Sequence, residues 1–180
     1  MKIFDFGGTN MNNIILIGMP GSGKSTVGVV LAKMLGYNFI DTDLLIQEQN
    51  GALLQDIIDR DGNEAFLETE ARSIKTLDCE KSVIATGGSA VLHPEGLKKL
   101  KSLGALVYLR HPFGEIDKRI SNLDSRGVTL GEGQTLRDLY DYREPIYRSA
   151  ADITINAEGL EIEETAQKII QKYNEYISGC

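Results

Sequence analysis

Hydrophobic positions along the chain fall into short unbroken runs separated by longer stretches with helical spacing. Ile14–Ile17 is a run of four aliphatic residues, the pattern of a strand buried on both faces. A Gly-rich turn follows. Apolar residues at 27, 30, 31, 34 and 35 then mark one face of a helix over Val27–Leu35, with Gly36 as its C-cap. Phe39-Ile40, ending at Asp41, reads as a second strand, and residues 44–77 are helical by pattern, with breaks expected near Gly51 and Gly62. Ser82–Ala85 is a third strand ending in Thr86-Gly87-Gly88, and Pro94 suits the first turn of a helix running to Leu103. Ala105–Leu109 is a fourth strand and Pro112 opens the next helix. Residues 123–134 carry Gly127, Gly131 and Gly133 with few apolar side chains, which predicts a mobile loop. Thr135 is a candidate cap for a helix through about Arg148. Ile153–Ile155 predicts a last strand, and Leu160–Ile177 an amphipathic closing helix. Continuously apolar strands alternating with helices predict a parallel sheet covered on both faces. The expected architecture is a single three-layer α/β domain over residues 13–180, preceded by a short extension at residues 1–12.

Composition narrows the function. With 180 residues, 42% of them hydrophobic and 25% charged, the chain has the make-up of an ordinary globular domain. Nineteen Lys and Arg against 26 Asp and Glu leave a net charge of −7, which argues against nucleic acid or an acidic membrane as a partner. A small anionic ligand remains compatible with that balance. Cys79 and Cys180 are too few for a disulfide framework and lack metal-ligand spacing, so free thiols in a reducing cytoplasm are expected. No apolar run approaches the roughly 20 residues of a membrane span, and the first residues lack the pattern of a signal peptide.

The strongest chemical signal is Gly18-Met19-Pro20-Gly21-Ser22-Gly23-Lys24-Ser25, followed by Thr26. Gly21 and Gly23 let backbone N–H groups turn inward around phosphate oxygens, with Ser22 between them, and the helix that follows adds its positive end. Lys24 is placed to reach the β- and γ-phosphates, and the Ser25 hydroxyl to ligate Mg²⁺. The preceding apolar strand and following helical pattern are the context this loop requires. Binding of a nucleoside triphosphate is the consequence. An N-K-x-D motif for reading guanine is absent, and the third and fourth strands do not end in Asp as they do in most motor and transport ATPases. The acids follow the second strand instead, in Asp41-Thr42-Asp43, at the sheet edge where open α/β folds bind ligands. That arrangement leaves the small-molecule kinases. One carboxylate can hold the metal and the other can receive a proton from an attacking hydroxyl. A plainer role for Asp43, capping a helix that begins near Leu44, is compatible with this.

Together, Gly18–Thr26, Asp41-Thr42-Asp43, Gly87-Gly88, Arg126 in a Gly-rich segment and Arg143-Glu144-Pro145-Ile146-Tyr147 resemble the shikimate kinase family, in its order and spacing from Ile14 to about Tyr173. The resemblance implies a five-stranded parallel sheet of the nucleotide-kinase type. It also implies a substrate-binding helical region at 43–78 and a lid at 123–134. ATP and Mg²⁺ are the implied cofactors and a monomer the implied state. On this resemblance Lys24 and Ser25 hold phosphate and metal, and Asp41 supports the metal. Asp43 contacts the acceptor hydroxyls as candidate base, Gly87 and Gly88 offer backbone N–H groups, and Arg143 pairs with the acceptor carboxylate. Arg126 closes over the transferring phosphoryl group and Arg119 lies beneath the adenine.

The chain departs from the family pattern at three places. Phe66-Leu67 stands where the family has Phe-Arg, whose arginine grips the acceptor carboxylate. Arg126-Gly127-Val128 replaces Arg-Pro-Leu, and Ser89 replaces the third glycine of Gly-Gly-Gly. Residues 41–70 hold nine acids and one base, Arg60. A related kinase acting on another polyol or hydroxy compound therefore stands as an alternative, and a nucleotide-binding regulator without transfer activity as a further one. Retention of Lys24, Ser25, Asp41, Asp43 and Arg126 speaks against the regulator.

Overall fold

A computed structural model describes residues 12–121 and 133–179. The Gly-rich segment with Arg126, nearly all of the expected lid, the expected extension apart from Asn12, and Cys180 lie outside the described residues. Five strands, β1 (Ile14–Ile17), β2 (Asn38–Asp41), β3 (Ser82–Ala85), β4 (Ala105–Arg110) and β5 (Ile153–Asn156), form one wholly parallel sheet in the order β2-β3-β1-β4-β5. The helices are α1 (Lys24–Leu35), α2 (Thr42–Asn50), α3 (Leu54–Lys75), α4 (Pro94–Leu103), α5 (Phe113–Ser121), α6 (Leu136–Ala150) and α7 (Ile162–Ser178).

Alternation along the strands divides the core between the two faces. Ile15, Ile17, Ile84, Leu106 and Tyr108 pack with Ile74, Leu100, Leu139 and Tyr147 from α3, α4 and α6. Ile14, Leu16, Val83, Val107, Leu109 and Ile155 pack on the opposite face with Val27 and Leu31 of α1 and Ile169 and Tyr173 of α7. The sheet is thus the middle of three layers. A small separate cluster, Ile46, Ile57 and Phe66, holds α2 to α3.

Both expected breaks in the 44–77 stretch occur. Gly51 ends α2 at φ 60°, and Gly62 (φ 81°, ψ 170°) kinks α3. Thr135 caps α6 in a reciprocal box, accepting from the Asp138 N–H while the Asp138 side chain accepts from the Thr135 N–H. Two helices begin earlier than the sequence pattern predicts, while α7 begins later, at Ile162 rather than Leu160. The first helix begins at Lys24 rather than Val27, because Gly23 at φ 83° turns the chain into the helix without a side-chain cap. The second begins at Thr42, capped by Asp41, whose carboxylate accepts from the Asp43 N–H at 3.0 Å. The plainer capping role thus belongs to Asp41, and Asp43 sits in the first turn.

Candidate active site

Strands β1 and β3 are neighbours, yet the chain leaves them toward opposite edges of the sheet, which opens a crevice at their carboxyl ends. The Gly18–Ser25 loop and the start of α1 line one side of it. Lys24 folds back into the loop, and its ammonium donates to the carbonyls of Gly18 and Met19, each at 2.8 Å. Burial pulls the Lys24 ammonium down to about 8, opposed by the negative charges of Asp43 and Asp41. Ser22 is buried, while Ser25 and Thr26 are exposed on the first turn of α1.

A cavity of about 790 Å³ opens beside the loop, lined by Gly21, Ser22, Gly23 and Thr26 and, on the far side, by His111, Glu115, Lys118, Arg119, Gly159 and Leu160. A phosphate chain seated on the loop N–H groups would place a nucleoside in this cavity. Arg119 stands on its wall, with Nη1 donating to the Gly21 carbonyl at 3.4 Å. Among the described residues no group of three or more His, Cys, Asp or Glu gathers as a metal cage. The available donors are the Ser25 hydroxyl and the carboxylates of Asp41 and Asp43. That hard oxygen set suits Mg²⁺, which takes few protein ligands and completes its shell with phosphate and water.

Across the crevice lies a smaller pocket lined by Pro20, Asp43, Phe66, Glu70, Gly87, Gly88, Ser89 and Arg143. It continues into a cavity of about 170 Å³ walled by Asn63, Phe66, Leu67, Leu92, Leu139 and Tyr142. Glu70 and Arg143 are almost fully buried here. The Glu70 Oε2 accepts from the Ser89 hydroxyl at 2.6 Å, whereas its Oε1 and the Arg143 Nε are buried with no hydrogen-bond partner. Burial pushes Glu70 up to about 7, with the Ser89 bond opposing. Burial, reinforced by Asp41, also raises Asp43, with Lys24 opposing. An unpaired buried donor and acceptor facing one pocket are costly unless a ligand satisfies them.

Gly87 and Gly88 leave no room for side chains. A Cβ on Gly87 would lie 2.8 Å from Asp43 Oδ1 and collide with Glu70 Oε1, and one on Gly88 would lie 2.8 Å from Pro20 Cδ. The Gly87 N–H donates to the buried Thr42 hydroxyl at 3.1 Å. Tyr147 fixes the same turn from α6 by donating to the Gly88 carbonyl at 2.5 Å, and its ring stacks on Tyr108. Arg143 and Tyr147 lie one helical turn apart, so the Arg-x-Pro-Ile-Tyr segment aims a cation and a tether at one pocket.

The structure thus brings Gly21–Thr26, Asp41, Asp43, Gly87, Gly88, Arg119 and Arg143 to the mouth of one crevice. Arg143 pairs with neither acid beside it, since Asp141 holds Arg137 and Glu144 holds Arg110 and Arg148. Sequence reasoning missed Thr42, Glu70, Ser89, His111 and Tyr147. Thr42 and Tyr147 stood inside quoted motifs. The others gain their meaning from partners distant in sequence, and Ser89 carried the one local sign, a hydroxyl where glycine was expected.

A family model described as shikimate kinase matches residues 20–174. A shikimate kinase of Thermodesulfovibrio yellowstonii is 37% identical over 172 residues, covering 94% of this chain and 99% of that protein. Among solved structures, a shikimate kinase from Acinetobacter baumannii in complex with shikimate superposes with a TM-score of 0.85 at 34% identity, covering 92% of this chain and 94% of that one. Shikimate kinase from Aquifex aeolicus gives a TM-score of 0.78 at 31% identity, with coverages of 93% and 99%.

Proposed function

The chain belongs to the shikimate kinase family, and from that premise we propose that it transfers the γ-phosphoryl group of ATP to a ring hydroxyl of shikimate, giving shikimate 3-phosphate. The observation that carries the choice of acceptor is the pair of unsatisfied buried groups in one pocket, Arg143 Nε and Glu70 Oε1. A molecule bearing both a carboxylate and hydroxyls supplies the missing acceptor for the first and the missing donor for the second. The complex of the Acinetobacter baumannii relative with shikimate supports the same assignment.

In this reading the loop N–H groups of Gly21–Lys24 hold the phosphates, and Lys24 exchanges a loop carbonyl for a phosphate oxygen. Ser25 and Asp41 would hold Mg²⁺, which supplies charge neutralisation at the transferring group. Thr26 and Arg119 flank the nucleotide. Asp43 accepts the proton of the acceptor hydroxyl, and its raised proton affinity makes it a better base than an exposed aspartate. Gly88 offers a backbone N–H to the acceptor, and Gly87 shapes the floor beneath it. Arg143 fixes the carboxylate. Arg126 and the 123–134 lid, assigned by resemblance, close over the phosphoryl group and exclude water. Most of the acceleration comes from positioning and charge, as is general for phosphoryl transfer. We further propose a cytoplasmic enzyme acting as a monomer. Consistent with this, no described helix is long and apolar enough to cross a membrane.

Replacing Arg143 tests the acceptor. Arg143→Met removes one charge-assisted contact of about 1.5–3 kcal/mol, so KM for shikimate rises roughly 10- to 150-fold, with KM for ATP unchanged. An unaltered KM for shikimate would refute the assignment of its carboxylate to this pocket.

A further inference from the structure

His111, at the end of β4, lies outside every role assigned so far, yet it is buried in the wall of the nucleotide cavity. Its Nδ1 is 2.8 Å from Glu115 Oε2, and its Nε2 is 3.3 Å from Arg119 Nη1. The ionised Glu115 carboxylate can only accept, so Nδ1 carries the ring proton. Nε2 is then a bare lone pair, and Arg119 donates to it. Glu115 also takes Arg119 Nη2 at 3.5 Å and the Gly159 N–H at 3.2 Å. The His111 carbonyl is held from α6 by the Tyr140 hydroxyl at 2.8 Å. The ring is therefore held at both nitrogens and the backbone is held from α6, with Nε2 aimed at the guanidinium that borders the cavity.

We propose that neutral His111 is a positioning residue for the nucleotide: through Nε2 it holds Arg119 across the mouth of the cavity, where the base of ATP packs against it. This rests on the reading of the cavity as the ATP site and not on the identity of the acceptor. Protonation of the ring would remove the lone pair and set two positive charges face to face. The groups facing the ring are Glu115 and Arg119 from α5 and the backbone of Ser22 from the phosphate loop, with Lys118 and Glu161 farther along the same cavity. Burial, the largest influence, and Arg119 hold His111 below the ordinary histidine value, while Glu115 and the Ser22 backbone act the other way. The neutral form thus prevails at pH 7 and is lost on acidification.

The test uses the whole protein and two readouts, ATP affinity by calorimetric titration without acceptor, and steady-state KM for ATP. His111→Leu removes the acceptor and is expected to weaken ATP binding at least about fivefold, since the lost bond is donated by a guanidinium, with kcat at saturating ATP within twofold. His111→Gln offers a neutral acceptor that cannot be protonated. It should restore most of the affinity and flatten the rise in KM for ATP expected of the natural protein as the pH falls below the ordinary histidine value. The effect of His111→Leu should vanish in an Arg119→Met background, because the two act as one unit. Unchanged ATP affinity in His111→Leu overturns the proposal, as does full additivity with Arg119→Met or an acid limb in His111→Gln as steep as in the natural protein. Normal ATP titrations with no transfer to shikimate would instead count against the proposed acceptor alone.

Discussion

Lys24, Asp43 and Glu70 share one crevice, and each is displaced toward its neutral form by burial as the leading cause. The same desolvation that weakens their charges makes their remaining interactions stronger, which suits a site built to meet a phosphate and a hydroxyl. Leu67 marks the residue where this chain parts from its family. It lines the same cavity as Arg143, and among the described residues no second cation lines that cavity with it. Introducing Leu67→Arg should lower KM for shikimate roughly tenfold, the low end of a charge-assisted bond at a half-buried position. A KM that stays the same or rises in steady-state assays would show that this wall is shaped for something other than a carboxylate. The residues proposed to carry phosphate and proton chemistry were legible in the sequence because each lies in a short contiguous motif. Glu70 was not, since its value depends on Ser89, 19 positions away, and on a burial that no local pattern announces.

At the scale of elements, the acid-rich stretch 41–70 loses its apparent conflict with an anionic substrate. Glu48, Asp56, Asp59, Asp61, Glu64 and Glu68 are exposed on α2 and α3, leaving Asp41, Asp43 and Glu70 to face the crevice. The sequence shows the number of charges but not the helix phase that turns most of them to water. Strand and helix identities were legible from periodicity, and the differences at Lys24 and Thr42 arise where backbone geometry or a neighbouring carboxylate starts a helix before its apolar stripe. Asn13 was invisible to such patterns. It is 1% exposed and staples the lower ends of three strands: its amide donates to the carbonyls of Cys79 and Leu103 at 2.8 and 2.9 Å, and its Oδ1 accepts from the Ser82 N–H at 2.9 Å. Asn13→Ala strands those backbone groups and should cost about 2–4 kcal/mol of stability, read as a lower midpoint in urea. Both substrate KM values should stay within twofold, because the staple lies at the amino ends of the strands, opposite the carboxyl ends that form the crevice. A loss under 1 kcal/mol would contradict this account of Asn13.

For the molecule as a whole, the strand order decides where chemistry can happen. Alternating strands and helices foretold a covered parallel sheet, but not that β3 would lie between β2 and β1. That placement sets Asp41 and Asp43 on one flank of the phosphate loop and Arg119 on the other, which no linear reading of motif spacing provides. It lets an acidic chain of net charge −7 concentrate Lys24, Arg119 and Arg143 around a single crevice while its surplus acids lie outside. The central claim is that this crevice joins ATP to shikimate. Its most direct test is the release of ADP by the purified protein with MgATP, measured with and without millimolar shikimate. Strong stimulation by shikimate, with a product carrying one added phosphate, is the predicted result. A rate unchanged by shikimate in protein that still binds ATP would contradict it.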